Sequence, residues 1–172
     1  MNIWKSVLSI LALAAVASAG PTLACHAWVS TPRSAFAALD PLRAAAMDTA
    51  NHQSLWKAAP AKIAALRAEI RPDNPLTLLR AGYWIAIMNA LGLAPDTDGA
   101  ELIRRAADLR PNDPDYQFFA ALASFDHDPD QYRKYWVRAS ELAKPGSAAS
   151  QNLKAFDPEL RARMQKAERP TP

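Results

Sequence analysis

The chain has few of the residues that usually build a catalytic or metal-binding site. Its 172 residues include one cysteine and three histidines. A single cysteine cannot form an intramolecular disulfide, and His26, His52 and His127 lie too far apart for the i+3 or i+4 spacing of a helical metal site. The sequence also lacks a glycine-rich phosphate loop and a serine nucleophile elbow. We therefore expect no metal, no other cofactor and no enzymatic activity.

The chain also carries little net charge. There are 20 Lys and Arg residues against 17 Asp and Glu residues, and the two signs are interspersed along the chain. Nucleic-acid binding usually requires a basic face combined with base-stacking aromatic residues. We therefore expect no nucleic-acid partner.

Long apolar runs are absent except at the N-terminus. Residues 1–5 are weakly basic, residues 7–16 are small and apolar, and Ala17-Ser18-Ala19 suits a signal peptidase. The apolar run is too short to span a bilayer comfortably. We predict a signal peptide over residues 1–24 and a periplasmic protein, with an uncleaved anchor or secretion as the alternatives.

The one cysteine directly follows this segment. Pro21-Thr22-Leu23-Ala24-Cys25 resembles a bacterial lipoprotein signal, although Thr22 stands where that signal usually has a branched or leucine side chain. The resemblance implies lipidation of Cys25 and membrane association. An unmodified thiol and an intermolecular disulfide are the alternatives.

An Asx-Pro pair recurs through the rest of the chain. The pairs are Asp40-Pro41, Asn74-Pro75, Asp113-Pro114 and Asp157-Pro158, and their prolines are separated by 34, 39 and 44 residues. Asp or Asn caps free amides at a helix start, and Pro suits the first helical position. With the apolar periodicity between them, the pairs predict an all-α fold of three helical hairpins. The predicted helices are residues 41–58, 60–70, 75–91, 98–109, 114–125 and 129–143.

Two of the segments between helices are nearly identical. Ile70-Arg71-Pro72 and Leu109-Arg110-Pro111 each precede an Asx-Pro pair, and Gly82 and Ala121 supply a small residue eight positions into the following helix. These features resemble the tetratricopeptide repeat family, although the second unit is longer and Asp48 replaces the small residue of the first.

That resemblance implies a short right-handed solenoid of three hairpins over residues 40–145. Around it we predict an N-terminal segment over 25–39, a linker over 146–157, a capping helix over 158–167 and a disordered tail over 168–172. A polar capping helix is expected because the terminal repeat of a stack needs a polar outer face.

In the family, the first helix of each hairpin lines a concave groove that binds a partner protein. The corresponding groove residues are Leu76, Leu79, Tyr83, Phe118, Leu122 and Phe125. The alternative is that these side chains form the core or lie beneath the C-terminal helix. We expect a non-catalytic interaction module, an adaptor or assembly factor that binds a peptide segment or subunit. The alternative function is a permanent accessory subunit of a larger periplasmic or membrane-associated complex, such as an oxidoreductase.

Overall fold

A computed structural model describes Phe36, Leu39, Ala44 and residues 52–90, 98–125 and 128–156. These residues contain helices and connecting turns but no strand, which confirms the all-α prediction. The helices are α1 (His52–Ala68), α2 (Pro75–Ala90), α3 (Gly99–Asp108), α4 (Pro114–Ser124), α5 (Pro129–Leu142) and α6, whose described residues are 148–156.

The Asx-Pro pairs begin helices by the expected chemistry. The Asn74 side-chain oxygen accepts hydrogen bonds from the amides of Leu76 (3.0 Å) and Thr77 (3.4 Å). Asp113 accepts a hydrogen bond from the Asp115 amide (3.1 Å) at the start of α4. Each side chain satisfies an amide that has no partner within its own helix. The pairs at Asp40 and Asp157 lie outside the described residues.

Asp98 also precedes a helix, but its carboxylate makes a different contact. Its side chain caps no amide of α3. It instead forms a two-pronged ion pair with Arg67 of α1, with both N···O distances at 2.7 Å. The negative charge still lies beside the N-terminus of α3, where the helix dipole favours it.

Consecutive helices pack against each other from α1 to α5. The backbones of α2 and α3 approach closely where a Cβ atom on Gly82 would lie 2.6 Å from the carbonyl oxygen of Gly99. A Cβ atom on Gly99 would lie 2.8 Å from the carbonyl oxygen of Gly82. Gly82 was expected to be a small residue at a close helix contact, and the two backbones do approach there because neither residue has a side chain.

The prediction of a helix break between residues 58 and 60 is wrong. Residues 52–68 form a single helix with Pro60 in its interior. A proline inside a helix removes one backbone hydrogen bond and generally costs about 3 kcal/mol. The helix continues because Ala59, Ile63 and Leu66 lie on one face on both sides of the proline, and all three are buried.

The predicted linker over residues 146–157 is also wrong, because residues 148–156 are helical. The buried residues of this helix have the spacing of one helix face, and they are Ala149, Asn152, Leu153 and Phe156. The start of α6 is capped by Ser147, whose hydroxyl accepts a hydrogen bond from the Ser150 amide (3.2 Å). Packing of this face against the rest of the protein orders the segment.

Several predicted segments fall outside the described residues. These are the signal peptide over 1–24, the capping helix over 158–167 and the tail over 168–172. The same applies to the N-terminal segment over 25–39 apart from Phe36 and Leu39. Within the described ranges, every helix is too short or too polar to cross a membrane.

Candidate functional site

The six predicted groove residues divide into a buried half and a more exposed half. Leu79, Tyr83 and Phe118 have no exposed surface. Leu122 and Phe125 are half-buried, and Leu76 is 39% exposed. The structure therefore corrects the expectation that all six line an open groove, because Leu79, Tyr83 and Phe118 are covered by other residues of the chain in this structure.

Tyr83 is buried within a cluster of aromatic rings that includes a residue from the N-terminal segment. Its ring centroid lies 5.6 Å from that of Phe119, in an edge-to-face arrangement. Phe36 packs on the same cluster, 4.8 Å from Tyr116 and 5.6 Å from Phe119. The predicted groove is therefore filled at this end by residues of the chain itself.

Phe118 is buried for a similar reason at the other end. The ring of Phe156, which belongs to α6, lies 5.6 Å from the Phe118 ring. The Trp136 ring of α5 lies 6.3 Å from it on another side. Phe118 thus lies beneath α6, a helix within the predicted linker, whereas the predicted capping helix over residues 158–167 lies outside the described residues.

Next to Phe118, four half-buried side chains form a surface that we call the aromatic row: Leu122, Phe125, Tyr132 and Trp136. The Phe125 and Tyr132 rings are 5.2 Å apart and nearly perpendicular, and the Tyr132 and Trp136 rings are 5.6 Å apart. Leu122 lies one helical turn from both Phe118 and Phe125 on α4. The row therefore joins the end of α4 to the first half of α5.

The sequence pattern had indicated only part of this surface. The spacing of four residues between Tyr132 and Trp136 predicts that both rings face inward from an amphipathic helix, with the cations around them facing solvent. Tyr135 is instead the buried aromatic residue of α5, and its hydroxyl donates a hydrogen bond to Asp108 of α3 (3.0 Å). Burial, and then this bond, raise the pKa of Tyr135 to about 12. Tyr132 and Trp136 lie on either side of Tyr135 along the helix surface and are half-buried.

Comparison of the chain with known proteins adds no further assignment. No protein-family model, curated protein or solved structure matches it significantly. The interpretation of the site therefore depends on its geometry and chemistry alone.

The described acidic side chains do not assemble into a metal site. Among the described residues, no three His, Cys, Asp or Glu side chains are grouped so that they could hold a metal ion. The side chain of His52 and the whole of His26 and His127 lie outside the described part.

One carboxyl group has an altered acidity. Burial, and secondarily the charge of Asp113, raise the pKa of Asp115 to about 6. The Oδ1 atom of Asp115 is buried and has no hydrogen-bond partner in the structure. This carboxyl lies at the first turn of α4, whereas the aromatic row begins near the opposite end of that helix. The aromatic row therefore remains the candidate functional site, and the predicted lipidation site, Cys25, lies outside the described residues.

Proposed function

We propose that the chain is a non-catalytic protein-interaction module that binds a segment of a partner protein at the aromatic row. The observation that carries this proposal is three consecutive aromatic rings, Phe125 against Tyr132 and Tyr132 against Trp136, that are only half-buried. Aromatic side chains supply much of the binding energy of protein interfaces, since they bury a large area in few conformations.

We further propose that α2 to α5 form two stacked helical hairpins of the tetratricopeptide type. The proposal is supported by packing between consecutive helices, by the Asx-Pro helix starts and by the close approach at Gly82. Ala106, Ala121 and Ala139, which occupy the other small-residue positions of the family, are fully buried. In such a stack the row would lie at the C-terminal end of the repeats.

We also propose that the protein is exported and acts in the periplasm, with lipidation of Cys25 as one means of membrane association. This proposal is supported by the N-terminal sequence, in which a small, apolar segment precedes residues suited to signal peptidase. The partner would then be another envelope protein or a subunit of an envelope complex.

The experiment is a pull-down from native envelope extracts with the mature chain as bait, followed by mass spectrometry. The test variant is Phe125→Ala combined with Trp136→Ala, which removes two rings of the row. The matched control is Val137→Ala, because Val137 lies on α5 outside the row and is 48% exposed. We expect a stoichiometric partner that the control retains and the double variant loses, with both variants still folded by circular dichroism.

Two other results would contradict the proposal. A partner that the folded double variant retains would place the interface on another surface. No partner with either wild type or control would remove the basis for an interaction module. If the chain aggregates alone and becomes soluble only with its partner, the permanent accessory subunit is the better description.

A further inference from the structure

One face of α6 holds it against the other helices. The buried side chains of this face are Ala149, Asn152, Leu153 and Phe156, whereas Gln151, Lys154 and Ala155 on other faces are exposed. Among the described residues, the side-chain hydrogen bonds of α6 stay within residues 146–151, from the Ser150 amide to the Ser147 hydroxyl and from Gln151 Nε2 to the Gly146 carbonyl. The nine described residues of α6 would not form a stable helix alone in water. Apolar packing therefore keeps α6 folded and docked.

The centre of that apolar face carries a polar side chain. Asn152 is completely buried, and neither its Oδ1 nor its Nδ2 atom has a hydrogen-bond partner in the structure. A buried amide without partners loses its bonds to water and gains none in return. A leucine, which is similar in size, would avoid that loss. We therefore expect α6 to dock more weakly than a helix of the same shape with an aliphatic residue at this position.

The connection before α6 offers a pivot outside the packed helices. Lys144, Pro145 and Gly146 are exposed. Gly146 has a φ of +80°, and a Cβ atom added there would meet nothing within 4 Å. Rotation at this exposed glycine would move α6 without displacing α5, which ends at Leu142.

Departure of α6 would uncover a predicted groove residue. The Phe156 ring covers Phe118, and Phe118 in turn contacts Trp136 of the aromatic row. We propose that α6 is a displaceable internal helix that occupies the docking site for an amphipathic helix of a partner protein. The partner helix carries an aromatic residue in place of Phe156 and an aliphatic residue in place of Asn152. This inference rests on the proposed function, because the same surface would receive the partner.

The test uses the full chain and a fluorescent peptide of residues 147–156 that carries Asn152→Leu. The peptide reproduces the proposed partner pattern, so we expect saturable binding to the wild-type chain. A full chain with Asn152→Leu should bind the peptide at least about tenfold more weakly, a change equivalent to 1.4 kcal/mol. The reason is that its own α6 then docks more tightly. The matched control is Lys154→Leu, which adds leucine to the exposed face of α6 and should leave peptide binding unchanged.

Hydrogen exchange followed by mass spectrometry measures the opening directly. In the wild-type chain, we expect the amides of α6 to exchange faster than those of α5. Asn152→Asp should accelerate exchange in α6, because it buries a charge there, while α5 remains protected. The retained protection of α5 would also show that this variant is folded.

Several results would overturn the inference. If neither the wild type nor Asn152→Asp binds the peptide, or if α6 exchanges as slowly as α5, then α6 is a fixed part of the core. A dimer that becomes more abundant with Asn152→Asp, measured by light scattering, would mean that copies of the chain exchange α6 with one another.

The inference and the proposed function fail in different ways. A natural partner captured equally by the wild type and by Asn152→Leu would overturn the displaceable helix and leave the interaction module standing. Peptide binding with the expected variant pattern, but without any co-purifying protein, would support the displaceable helix and count against the interaction module.

Discussion

At the residue scale, Asp115 carries a charge in a position that does not favour it. Its carboxyl is half-buried, one of its oxygens lacks a hydrogen-bond partner, and its pKa is raised to about 6 from an ordinary value of 3.8. Between these two values the folded protein binds more protons at this site than the unfolded chain does. The contribution of Asp115 to stability therefore falls as the pH rises from about 4 to 6.

We predict that Asp115→Asn stabilises the protein at pH 7 and has a smaller effect at pH 4. The gain at pH 7 should be on the order of 1 kcal/mol, because solvent screens a half-exposed carboxyl. The measurement is urea unfolding at both pH values. The matched control is Asp130→Asn, because Asp130 holds the same position in α5 but is exposed. It should lose a small favourable interaction with the helix dipole. A stabilisation that is equal at the two pH values would contradict the role of the charge.

At the element scale, the contact between α2 and α3 depends on two glycines. Gly82→Ala would place a Cβ atom 2.6 Å from the Gly99 carbonyl oxygen and 2.8 Å from Cγ1 of Ile103. In most helices, replacing glycine with alanine stabilises the helix by about 0.5–1 kcal/mol. Here we predict a loss of about 1–3 kcal/mol in urea unfolding, because the helices must separate.

Gly99→Ala should also lower the free energy of unfolding, since its Cβ atom would lie 2.8 Å from the Gly82 carbonyl oxygen. The double variant should lose less than the sum of the two, because both substitutions act on a single contact. If Gly82→Ala increases stability, the two helices α2 and α3 are farther apart in solution than in this structure.

The elements that the sequence predicts well are those that local chemistry determines. The Asx-Pro pairs at Asn74 and Asp113 place the first residues of α2 and α4. Asp128-Pro129 begins α5 in the same way, and the Asp128 side chain accepts a hydrogen bond from the Gln131 amide. The predicted ends of these three helices are correct to within one residue. Tertiary packing determines the elements that were predicted wrongly. Pro60 would normally end a helix. The helix α1 nevertheless continues past it, because Ala59 and Ile63 on either side of the proline are buried. In α6, a buried asparagine interrupts the apolar pattern that would have indicated a helix.

At the scale of the whole molecule, tertiary packing also limits how well the sequence predicts the candidate site. The positions that correspond to a groove follow from spacing along α2 and α4, but the exposure of those positions does not. Phe36 and Phe156 come from distant parts of the chain and cover Tyr116, Phe119 and Phe118. Contacts of this kind do not leave a periodic pattern, so the sequence could not distinguish an open groove from a filled one.

Phe36 provides the test of this arrangement, because repeats in a simple stack contact only their neighbours. Phe36 precedes α1, yet it packs on Tyr116 and Phe119 of α4. We predict that Phe36→Ala lowers the free energy of unfolding by about 1–3 kcal/mol, less than for a fully buried ring, and speeds hydrogen exchange in α4. The matched control, Leu76→Ala, truncates an apolar residue of α2 that is 39% exposed and should cost less. If Phe36→Ala changes neither quantity, the N-terminal segment does not close the groove, and Tyr83 becomes a candidate contact residue again.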